Sequence, residues 1–318
     1  MFRTERSCHD FRALGAKRPI LVAIRNSQRT RIRVSESIAY AQGALLLYGA
    51  ADFVYKRGAA AGALPHQFLM VQTWFFSSLA FLYGWGTGTL AFNSGALWGA
   101  VAGVLVVVGY YNFAWSLKHG SVSTNATIFR LSFAVTVALA VLLLGEPLSL
   151  PKLAGLALAL VAVWLLLAAP GAGNGVANRE TRASLLRVLV ATVAVGVASF
   201  TYKLGLQGGA APIALVATQG AVAVTLSTTF AAHVDRGIRP SRAAWSHAPF
   251  AAVLLVVAFT FLAKGLERGE ASVVVPIAQM GFVVTALLGF VFLREPFTAR
   301  KGAGLLAALA ALASLARG

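Results

Sequence analysis

The sequence predicts an all-α membrane protein whose ten transmembrane helices form two inverted five-helix repeats, and three observations support this fold class. First, 58% of the 318 residues are hydrophobic and 12% are charged, whereas soluble domains carry about 25% charged residues. Second, apolar stretches of about 20 residues, long enough to span a bilayer, recur along the chain. Third, GAADFVYKRG at 49–58 returns as GVASFTYKLG at 196–205. An odd number of helices per copy inserts the second copy upside down.

The predicted helices are separated by turns containing Gly, Pro or charged residues, such as GTG at 86–88 and ERGE at 267–270. Their ranges are 38–57, 65–85, 95–117, 121–144, 151–169, 185–206, 212–233, 244–266, 271–293 and 300–316. The longest separator is rich in Gly and Asn and is predicted to link the two halves. The predicted organisation is a basic, disordered tail at 1–37, a first repeat at 38–169, a linker at 170–184 and a second repeat at 185–318.

The charge pattern and the absence of several motifs exclude some classes of function. The net charge is +17, but nine Lys or Arg residues lie within 1–33, and most others flank apolar stretches, as membrane orientation signals do. We therefore expect no nucleic-acid partner. The single cysteine, Cys8, and five scattered histidines predict no metal site and no cofactor. No GxxxxGK[ST], GxSxG or HExxH motif occurs, so we expect neither direct use of ATP nor an enzyme.

The orientation signals of the chain conflict. Loops on the side away from the N-terminus carry about twelve Lys or Arg and the other loops about five, which alone would place the N-terminus outside. The nine basic residues of the tail reverse this balance. We predict that both termini lie inside.

A second repeated pattern carries a family resemblance. GEPLSLPKLAG at 145–155 returns as REPFTARKGAG at 294–304. The surrounding segments, 121–166 and 271–309, resemble the EamA unit of the drug/metabolite transporter superfamily. The resemblance implies a ten-helix inner-membrane carrier with a central cavity, whose relatives move amino acids, drugs, nucleotide sugars or phosphorylated sugars. The related small multidrug resistance proteins use a carboxylate in their first helix, but the equivalent position here falls nearer Tyr48.

Arg130 is the first candidate for substrate binding. It lies about ten residues into the fourth predicted helix, near the bilayer midplane, where a charge costs at least about 2.5–3.5 kcal/mol. A guanidinium group matches a carboxylate or phosphate with two parallel hydrogen bonds. Arg130 is therefore interpreted as an anion-binding residue or as half of a structural ion pair. The second repeat places Gln279 at the equivalent position.

One face of each of these two helices is polar. Thr127 shares a helical face with Arg130, and Pro276 shares the equivalent face with Gln279. Proline lacks the N–H group that a helix needs. The sequence therefore predicts either a simple kink or a broken helix that seats the ligand.

Asp52 is the acidic residue placed well inside a predicted helix. Three roles are open for it: coupling to a proton or cation, the counter-charge of Arg130, or an i, i+4 pair with Lys56. Lys56 and Lys203 are repeat-equivalent and either extend to the headgroups or face the cavity.

Other polar and aromatic side chains within the predicted helices are candidates for the cavity wall. They are Tyr48, Tyr55, Gln72, Trp74, Tyr110, Tyr111, Trp115, Tyr202 and Gln219. Aromatic belts at the membrane interface offer an alternative explanation for the aromatic members.

Proteins built from two such membrane repeats hold their ligand between the copies. We therefore predict a secondary active transporter that moves a small polar metabolite across the inner membrane by alternating access. The excess of positive over negative charge within the predicted helices favours an amino acid, a carboxylate or a phosphorylated compound. Its expected partners are this small molecule, membrane lipid and a coupling proton or ion, in a monomer or homodimer. The alternative function is a flippase for a lipid-linked sugar or undecaprenyl phosphate.

Overall fold

The computed structural model describes residues 36–119, 122–167, 179–293 and 298–317. Within these ranges the chain forms helices and short turns and contains no strand, which confirms the predicted all-α class. Most of the predicted tail and the predicted linker up to residue 178 lie outside the described residues.

In the described residues each repeat supplies six α-helices, and the first repeat adds a short 3-10 helix at Ser94–Ala96. In the first repeat they are α1 (36–60), α2 (Pro65–Gly86), α3 (Leu97–His119), α4 (Val122–Arg130), α5 (Ser132–Leu144) and α6 (Leu150–Leu167). In the second repeat they are α7 (Arg179–Gln207), α8 (Pro212–Val234), α9 (Arg242–Arg268), α10 (Ala271–Gln279), α11 (Phe282–Leu293) and α12 (Ala299–Leu315). The repeat-equivalent α2 and α8 both begin with proline, which is tolerated there because the first helical N–H has no partner within the helix.

Five helical stretches in the described chain are long and apolar enough to cross a membrane. They are Ser94–Ser116, Arg182–Gln207, Pro212–Val234, Arg242–Arg268 and Ala271–Phe292. Two shorter apolar stretches are Ile128–Leu144 and Leu150–Leu166. These lengths and compositions fit a multi-pass membrane protein, and five of the ten predicted spans meet the criteria of length and hydropathy.

The fourth and ninth predicted helices are each divided into two half-helices. At Leu131, between α4 and α5, the backbone N–H donates to a carbonyl only three residues earlier, and the same happens at Met280, between α10 and α11. Such a tight turn interrupts the α-helical pattern. The second break follows Pro276 by four residues instead of falling on it, because losing one N–H donor does not end α10.

The second repeat is inverted relative to the first. Ser37, at the start of α1, lies against Gly269 at the end of α9. Its repeat-equivalent, Ser184 near the start of α7, donates its hydroxyl to the carbonyl of Ser116 near the end of α3. The two contacts lie at opposite ends of the molecule because α1 and α7 run in opposite directions.

The position of each broken helix is fixed by a glycine whose backbone packs directly against the backbone beside the break. A Cβ atom on Gly49 of α1 would lie 2.4 Å from the carbonyl oxygen of Gly281, and one on Gly196 of α7 would lie 2.6 Å from that of Ser132. The hydroxyl of Thr285 donates to the Gly49 carbonyl at 3.0 Å. Its equivalent, Thr136, donates to the Gly196 carbonyl at 2.8 Å. Only glycine allows backbones to pack this closely.

Candidate functional site

A large cavity lies between the two repeats. Its volume is about 1300 Å³, and it extends from Asp52 and Arg130 at the centre to His66, His233 and Lys301 at one end. These last three residues lie at the start of α2, the end of α8 and the start of α12, so the cavity opens at the end of the molecule away from the start of α1. We call this end the open end and the opposite end the sealed end.

Arg130 and Asp52 form an ion pair on the cavity wall. Arg130 is the last residue of α4, directly before the helix break, and its guanidinium donates to the Asp52 carboxylate of α1. The side chains are 19% and 30% exposed. Of the roles left open by the sequence, the geometry gives Asp52 the counter-charge of Arg130, and gives Arg130 an ion pair that remains accessible to a ligand.

The repeat-equivalent of Arg130 lies in a matching place. Gln279 is the last residue of α10, directly before the second break, and it also lines the cavity. Half-helices that end at a cavity expose backbone groups that a continuous helix would pair internally. The two breaks therefore present one cationic and one neutral polar side chain to the same space.

Two tyrosine–glutamine pairs brace the cavity wall with the symmetry of the repeats. The Tyr202 hydroxyl donates to Gln219 Oε1 at 2.7 Å, and the Tyr55 hydroxyl donates to Gln72 Oε1. Tyr202, Gln219 and Tyr55 line the cavity, whereas Gln72 stands behind Tyr55 and is not among the lining residues. Tyr55 and Tyr202 occupy equivalent positions in the first repeated segment, and both were candidates for the cavity wall.

Aromatic rings form much of the central wall. Tyr48 packs edge-on against Phe259 with ring centres 5.4 Å apart, and Tyr202 lies 6.1 Å from the same ring. Phe76 also packs edge-on against Phe259, with ring centres 5.8 Å apart. Phe259 lines the cavity and was not predicted, because an isolated phenylalanine in an apolar helix carries no sequence signal.

The predicted aromatic residues of α3 separate into two groups. Tyr110 and Tyr111 line the cavity, where Tyr111 packs against Phe230 with ring centres 4.6 Å apart. Trp115 is not among the lining residues. The guanidinium of Arg187 lies 4.3 Å from its ring centre, a cation–π contact at the surface between α3 and α7.

Other predictions have no test in the described structure. The side chain of Thr127 lies outside the described part of the chain. In the described residues no group of three His, Cys, Asp or Glu side chains is placed to hold a metal ion.

A polar contact joins the two repeats beside the open end. Asp235, directly after α8, accepts hydrogen bonds of 2.8 Å from His66 Nε2 and Gln67 Nε2 of α2. The bond from Gln67, followed by the bond from His66, lowers the pKa of Asp235 below its ordinary value. Gln67 Oε1 in turn accepts from the backbone N–H of Ser241.

The sealed end contains a charged group that sequence reasoning missed. It comprises Glu146 and Lys152, on and after the turn between α5 and α6, with Lys203 of α7 and Glu270 between α9 and α10. We call these four residues the sealing cluster. The motif GEP, which contains Glu146, stood out as a family signature, but nothing in its spacing predicts a partner 125 residues away.

Comparison with known proteins agrees with this architecture. The model of the EamA-like transporter family matches residues 36–168 and 182–317, one match for each repeat. A solved structure titled only as the crystal structure of a protein superposes with a TM-score of 0.74 at 17% sequence identity, and the alignment covers 87% of this chain and 97% of that one. At this identity the likeness establishes the fold alone. No curated protein matches the chain in sequence.

Proposed function

Because the chain belongs to the EamA-like transporter family, and is therefore a multi-pass membrane transporter, we propose that it is a secondary carrier for a small zwitterionic metabolite of the amino-acid type. It works in the inner membrane by alternating access. The observation that supports this substrate class is the Asp52–Arg130 ion pair on the cavity wall.

The ion pair favours a ligand that carries both charges. A ligand with a carboxylate alone would take Arg130 and leave Asp52 without its counter-charge, and a ligand with an ammonium alone would do the reverse. Leaving one partner of a partly buried pair uncompensated is unfavourable. A zwitterion replaces both partners at once, with its carboxylate on Arg130 and its ammonium on Asp52.

The rest of the wall supports the same class. Tyr48 and Tyr110 stand beside the pair, and their ring faces attract an ammonium group. Phe259 and Phe282 add apolar surface that suits a hydrophobic side chain on the ligand. The cavity volume of about 1300 Å³ exceeds the roughly 300–1,000 Å³ of ordinary ligand pockets, which leaves room for such a side chain and for water.

The pair also offers a route for coupling. Asp52 is the acidic group at the centre of the cavity in the described structure. When the ligand leaves, Arg130 returns to Asp52, so the empty carrier holds a neutral centre through its return step. Net transport would then be driven by a concentration gradient of the ligand across the membrane, or by a proton gradient if Asp52 takes up a proton.

The proposal predicts which analogues the carrier accepts. We expect a purified, reconstituted protein to take up an apolar amino acid at least about tenfold better than its deaminated carboxylate or its decarboxylated amine, since a missing partner group typically removes about 1–3 kcal/mol or more. Asp52→Asn and Arg130→Gln should each abolish this preference. The matched control is Arg268→Gln, which removes an arginine paired with Glu36 and Glu267 outside the cavity.

Two results would contradict this assignment. Equal transport of the amino acid and both analogues would show that the ion pair does not select the ligand. Translocation of a lipid-linked phosphate in vesicles that move no water-soluble compound would instead support the flippase.

A further inference from the structure

The sealed end is held by contacts that no role in substrate binding explains. The turn between α9 and α10 lies at its centre, and both helices that meet there would expose unpaired backbone groups. α10 begins without a cap from its own sequence, because the side chain of Glu270 makes no capping hydrogen bond.

Groups from elsewhere in the fold satisfy these helix ends. The two carboxylate oxygens of Glu146 accept from the backbone N–H groups of Ala271 and Ser272, each at 2.8 Å. Glu146 belongs to the first repeat and α10 to the second, so this cap joins the two repeats. A carboxylate at a helix N-terminus is also stabilised by the helix dipole.

The end of α9 is held in a complementary way. Lys203 Nζ donates to the carbonyls of Leu266 at 2.8 Å and Gly269 at 2.6 Å. An ammonium group at a helix C-terminus is stabilised by the negative end of the dipole. Lys203 therefore does not extend to the headgroups, which was one of its two predicted roles.

Lys152 completes the sealing cluster. Its side chain is 1% exposed, and its ammonium donates to the carbonyl of Pro147 at 2.8 Å and to the carboxylate of Glu270, which is 43% exposed. The cluster contains two acids and two bases, so it is balanced. It ties the first repeat to the α9–α10 turn of the second repeat by one cap and one ion pair.

One residue of the sealing cluster is not repeated at the equivalent position of the opposite end. The repeat registers that relate the two halves place Lys301 at the position of Lys152 and Lys56 at that of Lys203, and both lysines line the open cavity. At the position of Glu270, however, the first repeat has Ser121. A serine cannot form an ion pair with a lysine, so the sequence of the first repeat cannot reproduce the Lys152–Glu270 bond at the equivalent position.

We propose that the sealing cluster is the gate of the transport cycle and that Lys152 and Glu270 are its releasable bond, which favours the conformation open at the other end. This inference rests on the alternating access proposed above. Opening the sealed end requires the α9–α10 turn to leave the first repeat, and the ion pair and the Glu146 cap must both break in that step. Because the equivalent position at the other end lacks the acid, the two conformations are not equally populated.

The test is hydrogen–deuterium exchange of the full chain in lipid nanodiscs without substrate. Glu270→Gln should raise exchange about tenfold in the first turn of α10, since the loss of one half-exposed partner weakens the gate without removing the cap. It should also lower exchange in the first turn of α4, the repeat-equivalent of the first turn of α10, because that end closes when the sealed end opens. Lys152→Gln should produce the same pair of changes.

The matched control is Glu267→Gln, which removes an exposed acid three residues away that pairs with Arg268. It should leave both segments unchanged. Faster exchange in the first turn of α10 without slower exchange in the first turn of α4 would show that the Lys152–Glu270 bond is purely structural and would overturn the proposed gate. The exchange experiment contains no substrate, so its result is independent of the transport assay. A protein that transports amino acids but lacks the reciprocal change in exchange would overturn only the gate. A protein that transports no substrate would overturn the proposed function.

Discussion

Arg130 combines an unfavourable position with three features that make it tolerable. It is the last residue of a half-helix, it pairs with Asp52, and it faces a cavity large enough to hold water. A lone guanidinium in lipid costs several kcal/mol, and pairing and hydration both reduce this cost. The same features make it available to a ligand.

Also at the scale of single residues, the hydrogen bonds that Asp235 accepts from His66 and Gln67 predict that the thermal stability of the protein depends on pH. The folded-state pKa lies below the ordinary value of 3.8. The carboxylate therefore contributes its full stabilisation above that value and loses it as the pH falls through the lowered pKa. We expect wild type to melt at a higher temperature than Asp235→Asn near neutral pH, with the difference shrinking below about pH 4.

The measurement is a series of thermal melts of detergent-solubilised protein between neutral pH and about pH 3. Glu267→Gln serves as the control for a surface acid that does not join the two repeats. A difference between wild type and Asp235→Asn that persists unchanged at the lowest pH would contradict the assigned bonds.

At the scale of the elements, the broken spans are held in place by backbone contacts. Gly49 and Gly196 allow α1 and α7 to contact Gly281 and Ser132, each the residue directly after a break. These contacts position Arg130 and Gln279 at the cavity, because each lies within two residues of a break. The glycines are thus part of the site without touching a ligand.

This packing predicts a difference between two glycine substitutions. Gly49→Ala should lower the free energy of unfolding by about 1–3 kcal/mol, because the new methyl group meets backbone that cannot move aside. Gly86→Ala, at the end of α2, should change it by less than about 1 kcal/mol, since nothing lies within 4 Å of the new atom. Thermal unfolding in detergent compares the two, and equal losses would argue against the close approach of α1 to the break.

At the scale of the whole molecule, the inverted repeats place equivalent segments at the two ends of the protein. The two ends therefore differ in their bonding only where the sequences of the two repeats differ. The start of α1 and the end of α12 lie at the sealed end, since Ser37 contacts Gly269 and Ser314 donates to the Pro151 carbonyl. The orientation of the termini therefore decides which side of the membrane the open cavity faces.

We predict that both termini are inside, so that the cavity of this conformation opens outward. A green fluorescent protein fused after Gly318 should then fluoresce, and an alkaline phosphatase fused at the same point should be inactive. The control removes residues 1–33, whose nine basic residues outweigh the loops. An active phosphatase on the full chain would place the termini outside and make the open cavity face inward.

Much of the fold could be predicted from the sequence because a bilayer permits few solutions. Apolar length, turn residues and two repeated segments together implied helical spans, an inverted second copy and a central site. Alignment of the two repeats also paired Arg130 with Gln279, and the structure places both at helix breaks.

The sequence by itself determined the fold class and the most costly residue, because helix formation and membrane insertion depend on local composition. Only the tertiary structure decided that Arg130 meets Asp52, 78 residues away, that Glu146 caps α10, and that one end is sealed while the other is open. Those outcomes depend on which helix faces lie opposite each other. The packing of residues that are distant in sequence decides which faces meet, and a local sequence pattern contains no information about it.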